Sequence, residues 1–570
     1  MLHSAYLDPG PLEDKITTLL SERILETGDD FTPETNLFDA GLDSMAIMQF
    51  LIVLEEEFGV SIPVESVSRQ HFSSVHCVAA LMRDKLGLPA LPSSPAIEVP
   101  PPCAAAPKPK TAPAPDVPVL FEKLPLKGCD YFVLSFDSMS RRTGQGGHKA
   151  HSFLELSAVP DVAKLRAALE RATDLFPMLS ARLGRRGLFG RPFWYAVSEK
   201  AVTPLLLFCE TGSPGALKPF EAQDCLDAHA LMERIVNTPL PPQPASGPWS
   251  KARFNLIERK DGTAVLVFSW SHLMIDGVGA EAFLCELLRL AGEPVNDLPA
   301  VNPVDLPDPK APPNGWAERW ETARPIIQFF RSLGSKAIAC LGSIKPRPGN
   351  THFFVHTLTE EQTRTANNRC NALCGGIVNM PFYLACAMRA HDRVFAHRGQ
   401  SPAVQMCSVP VQTRRKGVRG PVFLNHVTMF FGLMERTAAG SIESATASLM
   451  EQHTRFLKDK LGESLNDLMY SMSLIPPGLY MRFVKMQMRG PFASFFHSHT
   501  GEFAPGLNNF LGGKVQNTFH VPGIASPPGT GIFCNEKNGR LVITLCWHED
   551  ALTAEERTLM LNQYLTDLGV

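Results

Sequence analysis

The spacing of apolar residues predicts an amphipathic helix close to the start of the chain. Met45, Met48 and Leu51 recur at three-residue spacing, so they share one face of a helix that would cover a small core. Asp43 lies just before this run and can cap the helix, because a carboxylate suits the free backbone N–H groups and the positive dipole of a helix N-terminus.

A second pattern predicts a buried strand in the middle of the chain. Residues 264–270 form a nearly continuous apolar run, Ala-Val-Leu-Val-Phe-Ser-Trp. Ser271 and His272 follow it directly, and Asp276 and Gly277 lie four and five residues after His272. An imidazole and a carboxylate that follow a buried strand are candidates for catalysis.

Length and composition indicate several domains. A chain of 570 residues exceeds the size of a single core, so two or three domains are expected. Residues 89–118 are dominated by Pro and Ala and predict an extended, semi-rigid linker. Such a linker would hold the N-terminal region near its neighbour at a high effective concentration.

The composition is that of a soluble globular protein, with 44% hydrophobic and 19% charged residues. The first residues show no signal-peptide pattern. The 13 cysteines are scattered and lack zinc-type spacing, which favours reduced thiols and a cytoplasmic location.

Charge is unevenly distributed along the chain. Residues 1–88 hold 15 Asp and Glu against 5 Lys and Arg, a net charge of -10, which leaves +7 for the remainder of a chain whose total is -3. The two regions either dock transiently on each other or simply keep the protein in solution, and the sequence leaves both open. Basic runs are short and no nucleic-acid-binding motif accompanies them, so no nucleic-acid partner is expected.

The start of the predicted helix resembles the prosthetic-group site of acyl carrier proteins. The resemblance covers residues 12–88 and is carried by the run Gly41-Leu42-Asp43-Ser44 and by Glu55-Glu56-Glu57-Phe58-Gly59 at the end of the helix. It implies an all-α four-helix carrier bundle at 1–88 and a covalent 4'-phosphopantetheine on Ser44. It also implies a phosphopantetheinyl transferase as a partner.

The pattern His272-x-x-x-Asp276-Gly277 after a strand resembles the motif of the chloramphenicol acetyltransferase and condensation-domain superfamily. Weaker elements in the correct order are similar to its wax ester synthase/diacylglycerol acyltransferase branch, among them Gly247-Pro248-Trp249, Val409-Pro410-Val411 and Phe423-Leu424-Asn425-His426. The resemblance implies a two-lobed α/β domain, with lobes at 119–345 and 346–570 and an active site between them.

The same resemblance implies roles for the motif residues. His272 would be the general base, Asp276 would hold its loop through an arginine, and Gly277 would allow a tight backbone. The family usually has a second histidine where this chain has Ser271, and an aspartate where it has Met380. The sequence identifies no oxyanion donor; Ser271 and Asn425 are candidates.

Together these features predict an acyltransferase. It would move an acyl group from a phosphopantetheine thioester on Ser44 to a small-molecule alcohol or amine, in polyketide, nonribosomal-peptide or lipid biosynthesis, with synthase modules as possible partners. Two alternatives stay open: a non-catalytic docking or gatekeeping module of a synthase, and an acyl-CoA-dependent wax ester or triacylglycerol synthase-like enzyme.

Two further segments contain residue types that other chemistry uses. His497 and His499 lie on one strand face without a third ligand, which favours a solvated strand over a metal site, and no metal is expected. Residues 479–489 mix apolar and basic side chains, which favours a helix packed on the core and at most peripheral membrane contact.

Overall fold

The computed structural model describes most of the chain. The described residues are 9–27, 31–42, 44–62, 67, 69–88, 121–210, 227–293, 301–302, 315–333, 337–376, 378–414, 416–417, 420–487 and 491–570. The predicted cap Asp43 and the predicted linker 89–118 lie outside them.

The N-terminal region is helical. Its described elements are α1 (Pro9–Arg23), β1 (Leu25–Glu26), α2 (Ser44–Phe58), a 3-10 helix (Arg69–Phe72) and α3 (Val75–Lys85). Apolar side chains from each helix meet in one core, with Ile16, Phe50, Phe72 and Val78 fully buried. The predicted helical N-terminal domain is thus confirmed: its described part has three α-helices and one 3-10 helix, with the two-residue strand β1 in addition.

The remaining chain is an α/β fold, which confirms the predicted class. Its first part contains β2 (Lys123–Pro125), α4 (Gly128–Arg142), β3 (Lys149–Leu156), α5 (Val162–Leu175), β4 (Arg182–Arg185), β5 (Pro192–Tyr195), β6 (Leu205–Cys209), α6 (Ala228–Asn237), β7 (Ala252–Glu258), β8 (Ala264–Ser271), α7 (Gly277–Leu290), β9 (Val301–Asn302) and α8 (Trp316–Leu333). The buried strand predicted at 264–270 is β8, and all of its residues are buried.

The second part also contains both strands and helices. It contains β10 (Thr351–Thr357), α9 (Glu360–Cys374), α10 (Met380–His397), β11 (Val404–Gln412), β12 (Lys416–Gly417), β13 (Gly420–Pro421), β14 (Val427–Glu435), α11 (Ile442–Lys458), α12 (Leu461–Met472), α13 (Pro477–Gln487), β15 (Phe495–Glu502), β16 (Asn509–Phe510), β17 (Gly513–Pro522), β18 (Thr530–Lys537), β19 (Arg540–His548) and α14 (Ala554–Leu568).

Two six-stranded mixed sheets organise this region. The first has the order β16-β17-β3-β8-β7-β6 and the second β10-β19-β18-β15-β11-β14. Apolar residues of both sheets, such as Phe153 and Val267 from the first and Phe533 and Val542 from the second, share one core cluster. The two lobes are therefore packed against each other through part of their sheets.

The predicted boundary at 345/346 does not describe the membership of the two sheets. β17 pairs antiparallel with β3, with Phe519 opposite Phe153, so residues 509–522 complete the first sheet although they lie late in the chain. The physical reason is the alternation of Val515, Phe519 and Val521, which are buried against the first lobe. Helix α8 lies before the predicted boundary in the chain, but it places Ile326 in the core of the second lobe.

Strand register brings the ends of β3 and β8 together. The two strands are antiparallel, and Lys149 lies opposite Ser271. His148, just before β3, and His272, just after β8, are therefore neighbours. A β-bridge between Ile275 and Leu424 then joins the loop after β8 to the segment before β14.

The helical carrier region contacts the second lobe. Glu55 and Glu56 of α2 form ion pairs with Lys458 (3.3 Å) and Lys460 (2.9 Å). β1 pairs in parallel with β12, and the side chain of Leu457 packs on the carrier core. Of the two interpretations of the charge asymmetry, docking is the one that agrees with this arrangement.

A search of the described residues for membrane spans finds no helix with the length and apolar character needed to cross a bilayer.

Candidate active site

His272 directly follows β8, and hydrogen bonds hold both its backbone and its ring. Its backbone N–H donates to the carbonyl of His148 (3.1 Å), and its Nδ1 atom lies 3.0 Å from Oδ1 of Asn425. Because an amide oxygen only accepts hydrogen bonds, Nδ1 carries the proton in this network. The Nε2 atom is then the basic nitrogen of the ring.

Asn425 is itself held by a buried carboxylate. Its backbone N–H and its Nδ2 both donate to Oδ1 of Asp130 (3.0 and 3.1 Å), and Nδ2 also donates to the carbonyl of His272 (2.9 Å). Both hydrogens of the amide are thereby engaged, and its oxygen is directed at His272. Asn425 is thus an orienting group, which removes it as a candidate oxyanion donor.

Asp130 is fully buried at the start of α4. Burial raises the pKa of this carboxyl above its ordinary value, although the hydrogen bonds from Asn425 and from the backbone of Lys127 oppose the shift. Neither the sequence pattern nor the family motif pointed to Asp130, because it lies 295 residues from Asn425.

Asp276 forms a structural anchor below the site. Its Oδ1 caps α7 by accepting from the N–H of Gly279 (2.8 Å), and its Oδ2 accepts from Nη1 of Arg414 (2.6 Å) and from the N–H of His426 (2.9 Å). Burial alone would raise the pKa of this carboxyl, but the Arg414 guanidinium outweighs it and holds the pKa below its usual range. Asp276 is therefore a buried anion with its acceptor sites occupied.

The tight backbone of this loop occurs at a different glycine from the one predicted. A Cβ at Gly279 would lie 2.1 Å from the carbonyl oxygen of Val422, whereas a Cβ at Gly277 would meet nothing within 4 Å. Gly279 is thus the position where a side chain is excluded, because α7 approaches the second lobe closely there.

His272 is neutral in this environment. Burial lowers the pKa of its imidazole, and the negative charge of Asp276 only partly offsets that effect. A neutral ring with a defined tautomer, whose Nε2 has no hydrogen-bond partner among the described residues, meets the requirements of a general base.

A cavity of about 200 Å³ lies in front of His272. It is bounded by residues from both lobes and is largely apolar. Its aromatic wall consists of Phe132, Phe136, Trp270, Phe492, Phe496 and Phe533. Polar side chains of Ser408, Gln412, Ser498 and Thr500 also line it.

A second imidazole, which the sequence analysis missed, faces the same cavity. The ring of His148 stacks on that of His272 with centroids 4.7 Å apart and planes 9° from parallel. Burial, with a smaller contribution from the neighbouring His272, holds the pKa of His148 well below its ordinary value. Only the register of β3 with β8 could have revealed this pair.

Ser271 points away from the cavity. Trp270 and His272 both line the cavity, and alternate side chains of a strand face opposite sides. Ser271 is 2% exposed, and its Oγ finds no hydrogen-bond partner among the described residues. This placement removes Ser271 as a candidate oxyanion donor.

Ser44 is the first residue of α2, and its backbone position suits a phosphate ester. The first turn of α2, which begins at Ser44, contains no acidic residue, and a helix N-terminus carries a partial positive charge. A negatively charged phosphodiester fits such a helix N-terminus.

Of the two histidines flagged as a possible metal site, His497 is buried and His499 is half-buried with its Nε2 atom shielded from solvent. Nδ1 of His497 donates to the carbonyl of Ile532 (2.8 Å), and burial lowers the pKa of His497 to about 4. The ring of His499 stacks on Tyr383 at 4.2 Å. The prediction of a solvated strand is therefore wrong, since the second sheet is covered on this face; the described residues contain no cluster of metal-ligating side chains.

The apolar and basic segment 479–489 falls mostly on α13. Within its described side chains, Tyr480 is buried against Tyr131 of α4 with ring centroids 5.4 Å apart. Met380 opens α10 and packs against the core of the second lobe. Tyr480 and Met380 therefore pack on the core.

Comparison with known proteins agrees with this architecture. Residues 14–75 match the family model of the phosphopantetheine attachment site. This match identifies a phosphopantetheine-binding domain, whose prosthetic group is covalently attached 4'-phosphopantetheine.

The larger region is similar to several solved structures. The first condensation domain of the calcium-dependent antibiotic synthetase matches with a TM-score of 0.55 at 14% identity, over 78% of this chain and 95% of that one. The trichothecene 15-O-acetyltransferase TRI3 from Fusarium sporotrichioides matches with a TM-score of 0.54 at 13% identity, over 78% and 95%. The condensation domain of the Monacolin K polyketide synthase MokA gives 0.53 at 11% identity, over 79% and 97%. At such identities the likeness shows the fold alone: the larger region has an α/β fold like that of these condensation and acetyltransferase domains.

Proposed function

We propose that this chain is an acyltransferase that moves an acyl group from a phosphopantetheine thioester on its own Ser44 to an alcohol or amine acceptor. The observation that carries the proposal is the neutral imidazole of His272. Its Nδ1 is fixed by Asn425, its Nε2 has no partner in the described part of the chain, and the residue lines a cavity formed by both lobes. A fused carrier domain gives such a base a thioester to act on.

The prosthetic group supplies an acyl carbonyl that is already activated as a thioester. The protein then has to remove the proton of the acceptor as it attacks. Nε2 of His272 takes that proton while the new C–O or C–N bond forms, and returns it to the sulfur as the C–S bond breaks. No acyl-enzyme intermediate is required in this scheme, because the donor needs no further activation.

Three residues around His272 hold it in the form that can act as a base. Asn425 holds the tautomer in which Nε2 is basic, and Asp130 holds Asn425. Asp276, four residues after His272, contributes the charge that favours the imidazolium formed during transfer, while its own oxygens stay bound to Gly279, Arg414 and His426. Its role is positioning rather than proton transfer.

The apolar cavity supports an acyl or acceptor group with substantial hydrocarbon surface. Its wall is dominated by phenylalanine side chains, and burial of a methylene group there would contribute about 0.8 kcal/mol. The contact between α2 and the second lobe supports a donor that is presented by the attached carrier. The two observations together favour transfer in cis within polyketide, nonribosomal-peptide or lipid assembly.

Mass spectrometry of the intact chain tests the proposal. Incubation with a phosphopantetheinyl transferase and acyl-CoA should add one acyl-phosphopantetheine, and Ser44→Ala should abolish the addition. A nearby serine change, Ser73→Ala, serves as the control and should load normally. On addition of an amine or alcohol, the acyl mass should leave the chain and appear in the product. Addition that persists in Ser44→Ala would contradict the assignment of Ser44.

A further inference from the structure

We propose that His148 is a second catalytic imidazole of this site, whose ring N–H binds the carbonyl oxygen of the acyl donor as negative charge develops on it. The inference rests on the proposed function, since it assigns the missing oxyanion donor of the same reaction. Nothing in the motif at residues 271–277 points to His148, which enters the site from a different strand.

The geometry fixes His148 beside the base. Its backbone N–H donates to Oδ1 of Asp137 (2.8 Å) and its carbonyl accepts from His272 (3.1 Å), so both sides of the residue are tied. The ring is held between His272, on which it stacks, and the edge of Phe136, with centroids 4.7 Å apart in each case. An imidazole held on both faces can move little, which is the preorganisation that an oxyanion donor requires.

The nitrogens of His148 remain available for a ligand. Within the described part of the chain, no side chain or backbone group hydrogen-bonds to its ring, and its side chain is half-buried at the wall of the cavity. Its lowered pKa means that it is a neutral ring with one N–H donor and one acceptor. A neutral imidazole can polarise a carbonyl in this way.

Three other donors near His272 are excluded by their contacts or by their placement. Both amide hydrogens of Asn425 are bound to Asp130 and to the carbonyl of His272. Ser271 faces away from the cavity. Arg414 is not among the residues that line the cavity, and its Nη1 is bound to Asp276 and to Gln412. His148 is the polar residue of the cavity wall that stands in direct ring contact with the base.

The step is balanced without any further reactant. The acceptor attacks the carbonyl carbon, the C=O electron pair moves onto the oxygen, and the N–H of His148 donates a hydrogen bond to that oxygen. The acceptor proton goes to Nε2 of His272. When the carbonyl re-forms, the C–S bond breaks and the sulfur receives the proton from His272, while His148 keeps its own.

Two substitutions separate hydrogen bonding from stacking. His148→Phe keeps an aromatic ring against His272 but has no donor, whereas His148→Gln keeps an N–H donor without the ring. Loss of one oxyanion donor typically lowers kcat by about 10²–10³-fold. We expect His148→Phe to lose that much in the rate of acyl transfer at saturating acceptor, with the KM for the acceptor little changed. His148→Gln should exceed His148→Phe at least tenfold.

The control is loading of Ser44, which should be unchanged in both variants, together with a thermal melt near that of the unmodified protein. If either variant melts early, His148→Leu and His148→Asn replace it in the same comparison. A His148→Phe protein that equals or outperforms His148→Gln would overturn the inference and assign the ring a stacking role.

The comparison with His272→Ala separates this failure from failure of the proposed function. If the unmodified protein transfers no faster than His272→Ala, the proposed function fails. If it transfers faster and His148→Phe does so equally, only the role of His148 is wrong.

Discussion

Nδ1 of His272 lies 3.0 Å from Oδ1 of Asn425, a residue from the other lobe that lies 153 positions later in the chain. This contact decides which nitrogen of the base is free. It also links the motif on the first lobe to the segment that precedes β14. The tautomer of His272 is therefore fixed only when the two lobes are packed together.

Asn425→Ala should therefore lower the rate of acyl transfer, because it changes the tautomer of His272. Without the amide oxygen the ring can adopt the tautomer in which Nε2 carries the proton and cannot act as a base. The loss can reach the contribution of general base catalysis, roughly 10²–10⁴-fold. The double variant Asn425→Ala/His272→Ala should be no slower than His272→Ala alone, because both changes remove one function. Additive losses in the measured single-turnover rates would show that Asn425 acts independently.

Asp276→Asn should unfold at a lower temperature and lose activity together. The carboxylate is paired with Arg414 at 2.6 Å and is 2% exposed. Breaking a buried pair by removing one partner typically costs about 3–5 kcal/mol. His272→Ala, which removes chemistry rather than an anchor, is the control and should melt near the unmodified protein. An Asp276→Asn protein as stable as the unmodified one but inactive would assign Asp276 a direct part in the reaction.

The rate of acyl transfer should fall at low pH, where His272 becomes protonated. Burial lowers the pKa of His272, so the ring stays neutral until the pH falls below the ordinary range of histidine. Acyl transfer should rise with pH through a flank below 6.5 and be level near neutrality, as measured by single-turnover rates at several pH values. A flank above pH 7 would mean that another group limits the reaction.

Charge reversal should weaken transfer in cis through the contact between Glu56 and Lys460. Exposed ion pairs contribute about 0.2–1 kcal/mol each, so Lys460→Glu should slow transfer by a small factor, and more strongly at low salt. The exchange Glu56→Lys/Lys460→Glu should restore the rate. Lys514→Glu, on an exposed position of β17, is the matched control and should have no effect. Equal slowing by Lys460→Glu and Lys514→Glu would argue against docking at this surface.

Local patterns in the sequence predicted the elements but not the contacts between them. The three-residue spacing of apolar residues around Met48 and the apolar run at 264–270 were sufficient to predict α2 and β8, because each element buries its own face. His148 and Asp130 could not be found in this way, and Asn425 was named only as a candidate oxyanion donor, since the roles of all three depend on strand register and on lobe packing. The sequence also placed residues 509–522 in the wrong lobe, because nothing local indicates which sheet an alternating strand joins.

The same limitation explains the histidines of β15. Alternation correctly placed His497 and His499 on one face of a strand. Whether that face meets solvent or a covering helix is a tertiary property, and here α10 covers it, as the contact of Tyr383 with His499 shows. The motif residues Ser44, His272 and Asp276 were found because a family pattern, not periodicity, marks them.

The central claim is that His272 catalyses acyl transfer from the attached carrier. The direct measurement is a single turnover in which the chain, loaded with a radiolabelled acyl group on Ser44, is mixed with an acceptor and sampled for product. The unmodified protein should release label into product, and His272→Ala should do so roughly 10²–10⁴-fold more slowly with equal loading. Equal rates in the two proteins, at equal loading, would contradict the account.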